Sequence, residues 1–332
     1  MKQGTEIIST QEEWDDAENL NESRTASVAK EQHGARLDVA LVCAVPEFSR
    51  SYLQQLLELG LVQVNARTIL KPSYRVKVGD ALAIELRPTP QSQAFIPQAM
   101  NLNVVYEDAH ILVLHKPAAL VVHPAPGNWS GTLLNGLLAH DRAFSLVPRA
   151  GIVHRLDKDT SGLMVVARTR LAMDYLVERI AAREVSRQYL AIAHHPWVGS
   201  KTRTVEAPIG RDPRNRLRMA VVDLSHQSGK TAKTDFILLD NAEKGCLVKC
   251  VLHTGRTHQI RVHMASLGHP LVADTVYGGK TVPILDRQAL HAFRLAFIHP
   301  VSLKPMVFHA PLPEDLLDLL HSWGLRYNET HP

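Results

Sequence analysis

The nine residues His-Arg-Leu-Asp-Lys-Asp-Thr-Ser-Gly, at positions 154–162, form the densest polar cluster of the chain. They lie between the apolar pair Ile152-Val153 and the apolar run Leu163–Val166. A loop that joins two buried strands is where a rigid scaffold usually displays its reactive groups. The stretch therefore predicts a functional loop anchored in a sheet.

Four chemistries are open to these side chains. A metal site could use His154, Asp157 and Asp159, but no second cluster at ligand spacing occurs elsewhere. A glycosidase could use the two aspartates, but residues two apart on a strand lie too close on one face to flank a sugar bond easily. A serine hydrolase would need Ser161 in a G-x-S-x-G turn, which is absent. Covalent catalysis by one aspartate is the fourth.

Outward from this loop, short β-type runs alternate with a few helical stretches, which favours an α+β domain over a regular βαβ series. The predicted strands are Val104-Val105, Ile111–Leu114, Leu163–Ala167, Tyr189–Ala193 and Leu247–Leu252. Helical spacing predicts helices over Asp174–Arg183 and over Thr257–Leu267, with Thr257 as N-cap. A last helix is expected from Pro313 to the residue before Gly324.

The segment before this domain predicts a smaller module of two helices and a short sheet. The helices are expected over Gly34–Leu41 and from Ser49, an N-cap, to Leu59. The expected strands are Leu61–Val64, Tyr74–Val78 and Ala81–Leu86. The module's strands and turns carry several cations that a nucleic-acid backbone could approach together. They are Arg67, Lys71, Arg75 and Lys77. A solvated basic surface without a partner is the alternative interpretation.

Charge is distributed unevenly along the 332 residues. Residues 1–32 contain eight acidic and three basic side chains and so carry −5; because the whole chain carries +4, the remainder carries +9. The acidic segment lacks the apolar run of a signal peptide, so we expect a disordered, uncleaved tail and a cytoplasmic protein. No run of apolar residues approaches the roughly 18 of a membrane span. The three cysteines, without a C-x-x-C pair, indicate neither a disulfide framework nor a zinc ribbon.

The loop and four further stretches resemble the signature motifs of RluA-type pseudouridine synthases, in that family's order. The four stretches are KPAALVVHP at 116–124, RQY at 187–189, TGRTHQIRVH at 254–263, and ALHA at 289–292 with His299-Pro300. Upstream, the stretches that resemble an S4 RNA-binding domain are RLD at 36–38, SRS at 49–51, GLVQVN at 60–65 and VGD at 78–80. One departure is Ala119, where the family often has glycine.

The resemblance implies a reaction. The family's catalytic aspartate falls on Asp157, which would attack the target uridine at the ribose carbon or at the uracil ring. The N-glycosidic bond then breaks, the base rotates, and carbon 5 is joined to the sugar, without a cofactor. Arg261 would pair with the carboxylate and keep it ionised in a dry pocket; the alternatives are that it binds phosphate or only caps a surface. Tyr189 would stack on the uracil and assist proton removal, unless it is an ordinary strand tyrosine.

A uridine in a stacked RNA stem has to be extruded before it can react. The resemblance places Arg155 in the gap left by the base and Leu290 beneath the base, although core packing is the alternative for the leucine. It also places Lys116, Arg256 and His258 along the RNA backbone. The RNA contacts expected of the S4 module are Arg50, Arg67, Lys71 and Arg75.

The domain prediction is a disordered tail at 1–32, an S4 domain at 33–95, a linker at 96–101 and an α+β catalytic domain at 102–325. The catalytic domain is expected on a mixed, mainly antiparallel sheet. The predicted function is that of a monomeric RNA pseudouridine synthase for 23S ribosomal RNA, with tRNA as the other substrate considered. The rival functions are a non-catalytic RNA-binding or ribosome-assembly factor and an RNA N-glycosidase. Neither a metal nor a membrane partner is expected.

Overall fold

The computed structural model describes residues 22–87, 94–125, 127–215 and 218–328. The chain divides into two compact units, Met1–Ala94 and Phe95–Pro332. Each unit buries apolar clusters of its own, so each is described separately.

The first unit packs two helices against a small antiparallel sheet. Its helices are α1 (Leu37–Ala44) and α2 (Arg50–Glu58). Its strands are β1 (Glu22–Ser27), β2 (Val62–Val64), β3 (Arg67–Thr68) and β4 (Ala81–Leu86), in the order β1-β4-β2-β3. Ser49 caps α2 by accepting a hydrogen bond from the Tyr52 N–H, as predicted. Leu41 and Leu53 of the helices are fully buried in one cluster with Ile84 of β4.

Two expectations for the first unit are wrong. Disorder does not extend over residues 22–32, because β1 pairs with β4 along all six of its residues and Lys30–Gln32 form a 3₁₀ helix. Pairing through the backbone needs no apolar pattern, so the exposed sequence ESRTAS carries no strand signal. Residues 1–21 of the predicted tail lie outside the described ranges. The strand expected over Tyr74–Val78 is reduced to one bridge, between Arg75 and Arg36.

The second unit is an α+β domain. Its helices are α3 (Leu133–His140), α4 (Arg170–Ala181), α5 (Gln259–Ser266) and α6 (Glu314–Trp323). Its first six strands are β5 (Asn103–Glu107), β6 (Ile111–Lys116), β7 (Ser161–Ala167), β8 (Ser186–His194), β9 (Thr202–Glu206) and β10 (Ile209–Arg211). The others are β11 (Met219–Val221), β12 (Gly229–Lys230), β13 (Lys233–Asn241), β14 (Gly245–Leu252), β15 (Leu290–Ile298) and β16 (Pro305–His309).

One large sheet dominates this unit. Its strand order is β5-β6-β7-β15-β8-β14-β13-β9, with β16 paired to the second half of β15. β7 and β15 run parallel, and the other neighbouring pairs are antiparallel. Strands β10, β11 and β12 form a separate small sheet. The prediction of an α+β fold on a mixed, mainly antiparallel sheet is confirmed.

The central strands are buried on both faces. Leu112 and Leu114 of β6 belong to a cluster with α3 and α5, whereas Ile111 and Val113 belong to one with α4. Tyr189 of β8 lies on the α3 and α5 side, while its strand neighbours pack with α6 on the other side. Burial on both faces explains why these strands are nearly continuous apolar runs.

Two helix boundaries can be compared with those predicted from the sequence, the start of α5 and the ends of α6. α5 begins at Gln259, and its N-cap is His258, in the left-handed conformation with φ 57°, rather than Thr257. A residue with positive φ before a helix is not visible in a pattern of apolar spacing. α6 follows Pro313 and ends before Gly324, as predicted.

Part of the expected linker, residues 96–101, is bonded into the second unit. The carbonyl oxygen of Ile96 accepts a hydrogen bond from the Asn135 side chain of α3 at 2.9 Å. The Gln98 N–H donates to the Asn135 carbonyl oxygen at 3.0 Å. The composition of this stretch is typical of a linker, but a partner distant in sequence satisfies its backbone, so the linker prediction is wrong for residues 96–98.

Candidate active site

Two buried cations hold the loop that carries Asp157. Lys116, at the end of β6, donates to the carbonyl oxygen of Lys158 at 2.8 Å. Arg287 donates to the carbonyl oxygen of Asp159 at 3.2 Å. Both hydrogen bonds hold the backbone immediately after Asp157. The loop is therefore fixed at the point from which the Asp157 side chain projects.

Gly162 ends the loop motif and allows β7 to approach β15 closely. It has φ 121°, and a Cβ atom there would lie 2.3 Å from the Ala292 carbonyl oxygen. A side chain at this position would separate the two parallel strands. At the neighbouring position, the Ser161 hydroxyl lies 2.9 Å from His291 Nδ1, and this contact links the end of the loop to β15.

Asp157 is paired with a guanidinium that a second carboxylate also holds. Arg261 Nη1 donates to Asp157 Oδ2 at 3.1 Å, and Arg261 Nε and Nη2 donate to Asp274 at 2.7 and 2.8 Å. The Asp157 side chain is 16% exposed, the Arg261 side chain 8% and the Asp274 side chain 1%. Burial acts to lower the pKa of Arg261, but bonds and charge from the two aspartates raise it above its usual range. The arrangement places a fixed positive charge against a mostly buried carboxylate.

His258 lies beside this ion pair. Its Nε2 atom is 4.0 Å from Asp157 Oδ1, and its Nδ1 atom is 2.8 Å from the Tyr277 hydroxyl. The Tyr277 ring is stacked by Arg261, whose Cζ lies 4.9 Å from the ring centroid. Burial lowers the pKa of His258, although the charge of Asp157 opposes this. Both ring nitrogens therefore face groups of the active site, which differs from the RNA-backbone position expected for this residue.

A cavity of about 410 Å³ opens beside Asp157. The fold brings seven of the predicted residues to its lining, namely Arg155, Asp157, Tyr189, Arg256, His258, Arg261 and Leu290. Such a volume is within the range of pockets that enclose small organic ligands, which suits an extruded nucleoside.

The side chains that are expected to contact the substrate differ in their exposure to solvent. Tyr189 is buried on β8, and burial raises the pKa of its hydroxyl to about 12, so it keeps its proton at neutral pH. Leu290 is buried in the core cluster and lines the cavity as well. Arg155 is exposed. Arg256 donates through Nε to the Thr231 carbonyl oxygen at 3.0 Å and keeps its other N–H groups for a ligand.

The structure contradicts the expected role of Lys116 on the RNA backbone. The residue is 0% exposed, and its ammonium group donates to three carbonyl oxygens, those of Pro117, Leu120 and Lys158. Burial lowers its pKa to about 7, against the opposing charges of Asp159 and Asp157. An ammonium that is enclosed and fully bonded cannot reach a phosphate. Lys116 is a positioning residue for the loop.

We therefore expect Lys116→Met to destabilise the protein rather than weaken RNA binding. The change leaves three buried carbonyl oxygens without a donor, which should lower the free energy of unfolding by about 2–4 kcal/mol. Urea unfolding of the variant and the wild type measures this difference. The exposed Lys158→Met variant is the matched control and should unfold like the wild type. Wild-type stability together with weaker RNA binding in Lys116→Met would contradict the assignment.

The four cations of the first unit that are expected to bind RNA differ in whether their side chains already have partners. Arg50 donates to the buried Asp38 at 2.8 Å, and its guanidinium is among the groups that hold the pKa of Asp38 below its usual range. Arg75 donates to a backbone carbonyl oxygen at 2.8 Å. Arg67 and Lys71 are exposed, and the described residues give neither side chain a hydrogen-bond or ion-pair partner. These two are the most available to an RNA backbone.

The alternative metal site at His154 is not assembled. His154 is buried, and its Nε2 atom accepts a hydrogen bond from the Val165 N–H at 3.1 Å. Across the described ranges, no three His, Cys, Asp or Glu side chains are grouped so that they could hold a metal ion.

In the same ranges, no helix has both the length and the apolar character needed to cross a membrane.

Sequence reasoning missed two residues of the site. Asp274 follows α5 in a stretch without any charge pattern, and only the fold brings it to Arg261. Arg187 lines the cavity two residues before Tyr189, within the RQY stretch that drew attention to the tyrosine. The alternation of side chains along a strand was the available signal, because it places residues 187 and 189 on one face.

Family models match both units of the chain. The model for RNA pseudouridylate synthase matches residues 110–266, and the S4 domain model matches residues 35–82. The first match contains Asp157, Tyr189 and Arg261.

The curated relatives are similar over most of their length. The "Ribosomal large subunit pseudouridine synthase D" of Neisseria meningitidis serogroup B is 45% identical over 96% of this chain and 88% of that protein. The protein of the same name from Escherichia coli strain K12 is 44% identical over 92% of this chain and 95% of that protein. Among solved structures, human RNA Pseudouridylate Synthase Domain Containing 1 is 26% identical with a TM-score of 0.52, covering 69% of this chain and 86% of its own.

Proposed function

Because the chain belongs to the RNA pseudouridylate synthase family, we propose that it isomerises uridines of large-subunit ribosomal RNA, with Asp157 as the nucleophile. The observation that carries this proposal is the Arg261–Asp157 pair at 3.1 Å beside a cavity that Tyr189 also lines. The printed names of the relatives, which specify the large ribosomal subunit, support the substrate.

In the proposed reaction, the Asp157 carboxylate bonds either to the ribose carbon C1′ or to the uracil ring. In the first route, the C1′–N1 bond breaks and its electron pair stays on the uracil. The base then rotates, C5 bonds to C1′, and the carboxylate is released. C5 loses a proton and N1 gains one, so the product is an isomer of the substrate. A nucleophile of this kind has to be ionised and oriented before the substrate arrives.

The surrounding residues prepare Asp157 for this step. Arg261 donates a charge-assisted hydrogen bond to the carboxylate, and Asp274 fixes the guanidinium by two further bonds. Tyr189, protonated at neutral pH, contacts the base and takes part in proton movement. Leu290 supports the base by apolar contact, and the exposed Arg155 occupies the vacated stack of the RNA.

Mapping the product on defined RNAs tests this function. The purified protein is incubated with transcripts of 23S rRNA, 16S rRNA and tRNA, and pseudouridines are located by carbodiimide modification and primer extension. We expect pseudouridine in the 23S transcript without any change of RNA mass. Modification of tRNA alone would contradict the substrate. Abasic sites with free uracil would indicate an N-glycosidase, and binding without product would indicate a non-catalytic factor.

The first unit is proposed to supply RNA affinity through phosphate contacts. We expect the double variant Arg67→Ala/Lys71→Ala to bind rRNA more weakly, because it removes two exposed cations whose side chains have no partner among the described residues. The slope of log affinity against log salt concentration should become shallower by about 2, roughly one for each contact. Gln63→Ala, on the neighbouring strand, should keep the wild-type slope. An unchanged slope in the double variant would show that these residues do not contact phosphate.

We further propose that the protein acts as a monomer in the cytoplasm and without a cofactor. The groups assigned to the reaction lie together in the second unit. The isomerisation transfers no electrons to a carrier and no group from a donor.

A further inference from the structure

Arg187 is a buried cation in the wall of the active-site cavity. It is 6% exposed and lies on β8, two residues before Tyr189. Successive side chains of a strand alternate between its faces, so Arg187 and Tyr189 lie on the same face of the sheet. Both line the cavity beside Asp157.

The guanidinium of Arg187 has no acceptor in the described part of the chain. Its Nε atom is shielded from solvent and lacks a hydrogen-bond partner, and no carboxylate lies within ion-pair distance of the group. Arg261 and Arg287, which are equally buried, bind Asp274 and Asp315. A buried cation without a counter-charge destabilises the folded protein, so such a group is typical of a site that is completed by its ligand.

The neighbouring wall also lacks acceptors. His154 Nε2 accepts from the Val165 N–H, so the ring proton lies on Nδ1, and this buried atom has no partner in the described residues either. Gly255 borders the guanidinium on the other side, since a Cβ atom there would lie 2.8 Å from Arg187 Nη1. The cavity thus presents donors to an oxygen or an anion, in a space that a glycine keeps open.

We propose that Arg187 binds a ring oxygen of the extruded uracil and stabilises the negative charge that develops on the base during the reaction. This inference rests on the proposed function. When the C1′–N1 bond breaks, its electron pair is delocalised onto the uracil oxygens; when Asp157 adds to the ring instead, the charge also moves to a ring oxygen. In both routes a fixed cation helps the transition state more than the substrate.

The position of Arg187 favours the base over the RNA backbone as its ligand. Tyr189, its neighbour on the same face, is the residue assigned to the uracil, and both are buried. The partly exposed Arg256 is better placed for a phosphate than the buried Arg187. The test therefore has to distinguish binding of a phosphate by Arg187 from binding of a uracil oxygen.

The test compares Arg187→Met, Arg187→Lys and the control Arg170→Met, which removes an exposed cation of α4. We expect Arg187→Met to lower the single-turnover rate on 23S rRNA roughly 10²–10³-fold, with RNA affinity and its salt dependence unchanged. Arg187→Lys should recover part of the rate because it restores a positive charge. Removal of an unpaired buried charge should also leave the Tm of free Arg187→Met equal to or above that of the wild type.

Three results would overturn the proposal. An unchanged single-turnover rate in Arg187→Met would exclude a contact that matters for the reaction. Weaker binding with a shallower salt dependence would identify a phosphate as the ligand. A lowered Tm, with activity that follows the loss of folded protein, would identify a structural role. If the wild type itself forms no pseudouridine, the proposed function fails, which is a different result from a variant as active as the wild type.

Discussion

Asp157→Asn should form no measurable pseudouridine while it still binds 23S rRNA. The amide is nearly the same size as the carboxylate and can remain in contact with Arg261, but it is not a nucleophile. Loss of a nucleophile that no neighbour replaces commonly costs about 10⁴–10⁶-fold in rate. Single-turnover assays on a labelled transcript measure the rate, and filter binding measures the affinity, which we expect to be within about threefold of the wild type.

Asp159→Asn is the matched control for this prediction. Asp159 stands two residues further along the same loop, and it is the backbone carbonyl of this residue that Arg287 holds. We expect the control to turn over like the wild type. Pseudouridine formation by Asp157→Asn at a rate near that of the control would assign the chemistry to another group.

Arg261→Gln should lose both activity and stability. The substitution leaves the Asp157 and Asp274 carboxylates close together without the cation that holds them. Breaking a buried ion pair by removing one partner typically costs about 3–5 kcal/mol, so the free energy of unfolding should fall by that amount. The single-turnover rate should fall by roughly 10²-fold or more, because the nucleophile loses the cation that orients it.

The loss of stability in Arg261→Gln should depend on pH. Without the cation, the negative charges of the two carboxylates repel each other in the folded protein. Protonation of either carboxyl at lower pH removes this repulsion and favours folding, so the deficit relative to the wild type should be smaller at pH 5 than at pH 8. Urea unfolding at pH 5 and pH 8 tests this, with Arg170→Gln as a surface control. A deficit independent of pH would contradict the like-charge explanation.

Much of the catalytic unit could be predicted from local sequence. The runs at Ile111–Leu114, Leu163–Ala167 and Leu247–Leu252 are strands of the observed sheet, because side chains buried on both faces must all be apolar. The polar loop that precedes β7 stood out by its composition, although Ile152 before it forms only an isolated bridge. The family motifs then assigned Asp157, Tyr189 and Arg261, which line the same cavity.

Other features depended on contacts between distant segments. The family motif at 116–124 placed Lys116 on the RNA backbone. In the structure, its ammonium group donates to three carbonyl oxygens instead. β1 pairs through its backbone with β4, which leaves no trace in the polar sequence ESRTAS. His258 adopts a left-handed conformation and is the N-cap of α5, one residue after the predicted Thr257.

The sequence by itself therefore determined the α+β class, the two modules and the identity of the reactive loop, because burial and turn formation are imposed by residues close together in the chain. Only the tertiary structure decided which charges are paired. It bound Arg261 to Asp274, enclosed Lys116 and left Arg187 without a counter-charge in the described residues. The energy of a charge depends on its partners and on its access to water, and both are set by segments that meet only after folding.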